Sequence, residues 1–152
     1  MKVEVYLNFD GQTEEAFMFY KSAFGGEFQA FQKMKDAPGG DKLSKEDQSR
    51  IMHAALLLKG GAILMGSDTI PSMGPVLSKG NNINICIQPD SMDEADQLFE
   101  KLSDGGKVEM PMKEEFWGDY FGSFIDKFGV NWIISYNMKN EIDEMDNYEN
   151  YY

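Results

Sequence analysis

VYLNFDGQTEEAFMFYKSAFGGEFQ, residues 5–29, decides the fold because ICIQPDSMDEADQLFEKLSDGGKVE, residues 85–109, repeats it without a gap at an offset of 80. Asp10 falls on Asp90, Glu14 on Glu94, Phe19 on Phe99, Lys21 on Lys101, and Gly25-Gly26 on Gly105-Gly106. Apolar positions exchange for apolar ones at Val5/Ile85, Leu7/Ile87 and Met18/Leu98. A duplicated unit that cannot cover its own sheet needs its copy, and a pocket is expected at the seam between copies.

Each copy reads as strand–helix–strand–strand–strand. Val3–Phe9 alternates around β-favouring residues, and Asp10-Gly11 breaks the strand. Thr13 then supplies an expected N-cap hydroxyl, followed by Glu14 and Glu15 in the first turn. Ala16, Phe19, Tyr20, Ala23 and Phe24 form an apolar stripe at helical spacing, and Gly25-Gly26 supplies the left-handed stop. Residues 27–35 return as a strand, and residues 36–50 read as a polar loop in which Ser44–Arg50 adds a helical turn. Ile51–Leu58 and Ala62–Ser67 flank Lys59-Gly60-Gly61 as a hairpin. A helix from Ser44 through Leu58 competes with that reading. The hairpin is preferred because Lys127-Phe128-Gly129, between 119–126 and 130–136, matches the turn at an offset of 68. Residues 69–80 link the copies. Asn82–Gln88 (strand), Asp90–Leu102 (helix) and Lys107–Met112 (strand) open the second one.

Composition bounds the function. The net charge is −12, and removing the five acids and one base of residues 138–152 leaves −8. Such a surface repels phosphate backbones and anionic lipid, so no nucleic-acid or membrane partner is expected. The acidic tail, 138–152, has no useful periodicity and is expected to be disordered or to dock on a partner. Cys86 is the only cysteine; it lies in the apolar run INICI and is expected as a small buried hydrophobe rather than a nucleophile. No run approaches the ~20 apolar residues of a membrane span. The N-terminus opens on a strand pattern rather than a signal peptide, so a cytoplasmic location is expected. With 11 Phe, 7 Tyr, 2 Trp and 11 Met, the chain can pack a core or line a plastic cavity.

Three ordered strings, YLNFDGQTEEAFMFYKSAFGGE at 6–27, HAALLLKGGAILMGSD at 53–68 and FWGDYFGSFIDKFGVNWIIS at 116–135, resemble the vicinal oxygen chelate superfamily, the glyoxalase/bleomycin-resistance/dioxygenase group, and within it the PhnB-like branch. The resemblance covers residues 1–137. It implies an α+β fold in which two tandem βαβββ modules, 1–68 and 81–137 joined by the linker 69–80, form one domain with a curved, cup-like mixed sheet and helices outside. It also implies a homodimer. Metal-using members hold a divalent ion in the cup for Lewis-acid chemistry. The corresponding last-strand positions here are Met65 and Ile133, and the first-strand positions lie near Lys2–Glu4 and Asn82–Asn84. Met and Ile do not hold a hard cation, so no metal or other cofactor is expected.

His53 and Asp119 are the candidate catalytic residues. His53 reads either as a core or rim histidine satisfied by one hydrogen bond, or as a proton donor or acceptor facing the cup. Ser67 and Asp68 end a strand, or contact a ligand. Trp117-Gly118-Asp119 borders the cavity in the resembling branch; the indole offers a stacking face and one N–H, and Asp119 an anchor for polar or cationic groups. Tyr120, Phe124 and Trp132 complete the ligand-binding candidates. Some branch relatives carry a demethylubiquinone methyltransferase label, yet no strand–glycine loop–helix motif supports a nucleotide-type site. The expectation is therefore a protein that binds a small molecule without the usual metal. The alternative is a lyase, isomerase or dioxygenase-type enzyme using a divalent metal or His53/Asp119 acid–base chemistry.

Overall fold

Alternating apolar strands and two Gly-stopped amphipathic helices build two units, Met1–Lys79 and Gly80 onward, in the computed structural model, which describes residues 1–139. The expectation for the acidic tail falls, from residue 140 on, outside the described residues. The first unit runs β1 (Val5–Phe9), α1 (Thr13–Phe24), β2 (Glu27–Lys33), a short α2 (Lys45–Ser49), β3 (Ile51–Leu57) and β4 (Ile63–Asp68). The second runs β5 (Ile85–Ile87), α3 (Met92–Ser103), β6 (Lys107–Glu114), β7 (Asp119–Ile125) and β8 (Asn131–Asn137). Each unit folds one four-stranded mixed sheet, in the orders β1-β4-β3-β2 and β5-β8-β7-β6.

The duplication extends to register. Val5 pairs with Leu64 and Ile85 with Trp132, so the offsets of 80 and 68 recur in the parallel ladders. The antiparallel ladders repeat it, with Glu27 opposite Leu57 and Lys107 opposite Ile125. Both outer ladders even slip at the same place, Phe28/Ala30 and Val108/Met110. Gly26 and Gly106 explain why both copies need glycine after the helix. A Cβ at Gly26 would stand 2.1 Å from the Leu57 carbonyl oxygen, and one at Gly106 2.2 Å from that of Ile125. Gly26 also has φ +85°, which L side chains rarely adopt.

One face of each sheet carries its helix. Phe17 and Tyr20 of α1 are fully buried, as are Ala54 and Leu56 of β3, and a Cβ at Gly66 would meet the Phe17 ring at 2.7 Å. In the second unit Phe99 of α3 packs edge-on against Phe124, and a Cβ at Gly122 would meet its ring at 2.9 Å. Small residues in the strand thus let a large ring approach the backbone.

Three local expectations need correction. Thr13 is the first helical residue, not the cap; Gln12 occupies the cap without a side-chain bond. Thr13 instead donates its backbone N–H and its hydroxyl to Asp68, which satisfies a free amide of the helix end with a carboxylate where the dipole favours one. The second helix does have the hydroxyl cap, Ser91 accepting from the Glu94 amide. The strand expected over Asn82–Gln88 shortens to Ile85–Ile87, because β5 is a sheet edge with β8 as its single neighbour. Cys86 on that edge is exposed rather than buried. The hairpin over residues 51–68 stands as read, with Leu57 opposite Ile63, and α2 forms within the polar loop behind its Ser44 cap.

Candidate functional site

Strand alternation sorts the candidate residues onto two faces. In the first sheet, Gly66 touches α1, so Met65, its cross-strand partners Tyr6 and Ala55, and His53 two residues from Ala55 turn away from the helix. In the second, Gly122 and Phe124 lie under α3, so Asp119, Phe121 and Ser123, with their partners Ser135 and Ile133, turn away from it. Cys86, opposite Ile133, joins them.

On the helix-free face of the first unit, Tyr6 and His53 stack at 5.9 Å between ring centroids, with the phenol oxygen 3.4 Å from His53 Nδ1. Tyr6 is 47% exposed, so the pair is reachable from water. Ser67 alternates onto the same face as Met65. Asp68 does not: it is 5% exposed, and its two oxygens accept from Thr13 N (3.0 Å), Thr13 Oγ1 (2.7 Å) and Ile51 N (2.7 Å). Its side chain ties the start of α1 to the start of β3. Beside it, Arg50 donates to Asp10 and to the Thr69 carbonyl, anchoring the linker where it leaves β4. The linker then borders an open groove of about 520 Å³ whose wall includes Asn8, Met34, Asp68, Ile70, Met73 and Leu77.

On the helix-free face of the second unit, Asp119 Oδ2 accepts from the Trp117 indole N–H at 3.2 Å and from the Ser135 hydroxyl at 3.0 Å. The turn that presents Trp117 is closed by Glu115 N to Asp119 O and Gly118 N to Glu115 O, and Gly118 has φ +99°. Trp117 stands edge-to-face with Phe116 (5.0 Å, 87°) and with Phe121 (5.7 Å, 76°). Cys86 lies near enough for burial and the Asp119 charge to push its thiol pKa up, which disfavours the thiolate.

Tyr120, Phe124 and Trp132 point to the other side. The Tyr120 hydroxyl donates to Asp96 of α3 at 2.7 Å, and that bond, then burial, raises its pKa. Phe124 is fully buried against Phe99. Trp132, 2% exposed, donates its indole N–H to Asp126, whose other oxygen holds the Phe128 and Val130 amides. From the expected set, the helix-free face of the first unit therefore carries His53 and Ser67, with Tyr6 added, and that of the second carries Trp117 and Asp119, with Cys86, Phe121 and Ser135 added. Face parity was the available signal: Phe121 is two residues from Asp119, Ser135 is two from Ile133, and the two face each other across the ladder.

The residue level with Met65 on the neighbouring strand is Tyr6, and the one level with Ile133 is Cys86. The stretches 2–4 and 82–84 precede those strands. Phenol, thioether, thiol and alkyl groups are a poor set for a hard divalent cation, which seeks carboxylate or imidazole. Among the described residues no helix is long and apolar enough to cross a membrane.

Among the described residues, two mixed sheets built from a βαβββ repeat, each with one helix-covered and one helix-free face, give the chain a glyoxalase/bleomycin-resistance/dioxygenase-type fold. A structure of a glyoxylase/bleomycin resistance protein/dioxygenase domain from Frankia shares the fold at TM-score 0.64 and 15% identity, over 90% of this chain and 91% of that one. The chain belongs to the PhnB-like family whose model is described as 3-demethylubiquinone-9 3-methyltransferase, which matches residues 1–135. It is similar to protein YjdN of Escherichia coli, 30% identical over 143 residues that cover 89% of this chain and 95% of that protein. Among solved structures it is similar to PA1353 of Pseudomonas aeruginosa (34% identity, TM-score 0.79, 90% of this chain and 98% of that one). It is also similar to a PhnB protein of Bacillus cereus, a putative 3-demethylubiquinone-9 3-methyltransferase by its given name (25% identity, TM-score 0.72, 90% and 99% covered).

Proposed function

We propose that this PhnB-like chain binds a small molecule on the helix-free faces of its sheets, without a resident divalent metal. The observation that carries the reading is the Asp119 cluster: one carboxylate oxygen fixed by Trp117 and Ser135, beside an indole 46% exposed to water. A side chain held by two donors, next to an accessible aromatic surface, is preorganised for a ligand rather than consumed by the fold. The metal-free part rests on the donor chemistry level with Met65 and Ile133. For methyl transfer, named for some relatives, a strand–glycine loop–helix donor site would be sought, and the β1–α1 turn here reads Asp10-Gly11-Gln12. A homodimer and a cytoplasmic setting belong to the same reading and are checked by light scattering and fractionation.

Thermal-shift screening of metabolite-like compounds against wild type and Trp117→Ala tests it. The expected hits stabilise wild type and lose their effect in the variant. Compounds that stabilise both proteins equally would remove Trp117 from the site.

A second reading has its own observation. The Tyr6 phenol 3.4 Å from His53 Nδ1 sets two groups capable of acid–base catalysis side by side on the helix-free face. Turnover of a screening hit, abolished in His53→Gln while binding persists, would select that reading over simple sequestration.

A further inference from the structure

We propose that the Phe116–Trp117–Phe121 corner, with Asp119, receives an organic ammonium group, a choline-like quaternary or alkylated amine head. The inference rests on the binding reading above and names the ligand class. Recognition of such a cation needs ring faces at steep angles to one another, a nearby carboxylate, and no internal cation already in place. Trp117 meets Phe116 at 87° and Phe121 at 76°, so the three rings form corners rather than a stack. Phe116 is 96% exposed and Trp117 46%, so the corner between them opens to water. Two other aromatic rings already carry the protein's own lysines, Lys21 over Phe28 at 5.2 Å and Lys127 over Phe128 at 5.6 Å. Among the described residues no lysine or arginine sits over Phe116, Trp117 or Phe121, although Lys139 passes beside Gly118.

The carboxylate is arranged for the task. Asp119 commits Oδ2 to the indole N–H and the Ser135 hydroxyl, and Oδ1 accepts no hydrogen bond within the described residues. An alkylated ammonium offers few or no N–H donors, so it gains from a diffuse negative charge beside ring faces more than from a strong acceptor. The indole N–H is turned toward Asp119, and that bond pins the plane of the ring. The net charge of −12 adds a long-range attraction for cations.

The test titrates choline and its neutral isostere 3,3-dimethylbutan-1-ol into the full-length protein and follows the two indole N–H cross-peaks by NMR. Trp132, buried and bound to Asp126, serves as the internal control. Choline is expected to shift the Trp117 peak saturably, with the alcohol weaker by about three- to tenfold, the range of a partly desolvated cation–π contact. Asp119→Asn is expected to lose most of that preference, read on the same Trp117 peak. An isostere that binds as well as choline would overturn the ligand class while leaving the open-face site intact. The ligand class also falls, and the site again survives, if neither compound shifts Trp117 but screening hits still depend on it. If neither shifts Trp117 and no hit depends on it, the binding reading falls as well.

Discussion

Replacing Asp68 with Asn tests whether that carboxylate is a fold element rather than a ligand contact. Its two oxygens serve three protein donors at 2.7–3.0 Å, one of them the Ile51 amide and two from Thr13, and the residue is 5% exposed. An asparagine keeps one acceptor oxygen, which can serve Thr13 or Ile51 but not both sets, and turns an NH2 toward the donors it abandons. A buried donor left without an acceptor costs about 1–3 kcal/mol, and the lost charge weakens the remaining bonds. About 2–4 kcal/mol is therefore expected, in the range of substitutions that break a buried network. For a chain of this length that is a fall in Tm of roughly 5–15 °C. Differential scanning calorimetry of wild type and Asp68→Asn reads it directly, with Ser67→Ala, on the opposite face, expected to move Tm by less than about 2 °C. A Tm for Asp68→Asn within about 2 °C of wild type would refute the reasoning, since removing an acceptor from truly buried donors does not cost so little.

Further predictions concern the repeat and the second unit. Gly26→Ala is expected to destabilise more than Gly106→Ala, because both add a Cβ about 2 Å from a carbonyl while only Gly26 has left-handed backbone; urea denaturation of each variant checks the order. Cys86, exposed but held as a thiol by burial and Asp119, should alkylate with iodoacetamide more slowly at neutral pH than a free cysteine, and faster in Asp119→Asn. The Tyr120–Asp96 bond raises the folded phenol pKa above its unfolded value, so its stabilisation is complete below about pH 10 and is lost as pH climbs through the folded value. The stability gap between wild type and Tyr120→Phe should accordingly shrink only in alkaline solution, as denaturant midpoints across pH would reveal.

The repeat was legible because it constrains everything at once. Matching apolar positions at an offset of 80 and matching turns at 68 carried strand order, register and even the bulges into the second copy. Local chemistry was harder to read. Thr13 looks like a cap by position, but its true partner is Asp68, far along the chain and visible only once β4 lies beside β1. Cys86 looks buried because its neighbours are isoleucines, yet an edge strand leaves one side of the run uncovered. The candidate site was read by residue type without parity. Aromatics Tyr120, Phe124 and Trp132 sit on the α3 side, whereas Phe121, one position from Tyr120, and Ser135 share the face of Asp119. In a strand, one residue decides between the helix side and the helix-free face.

Elemental analysis of untagged protein, purified without chelator and assayed with the strongest screening hit, tests the central claim most directly. The account predicts less than about one tenth of an equivalent of transition metal, since the positions at and level with Met65 and Ile133 supply neither carboxylate nor imidazole, and unchanged ligand affinity after chelation. Stoichiometric zinc, nickel, iron or manganese that leaves with His53→Ala, taking ligand binding with it, would contradict it.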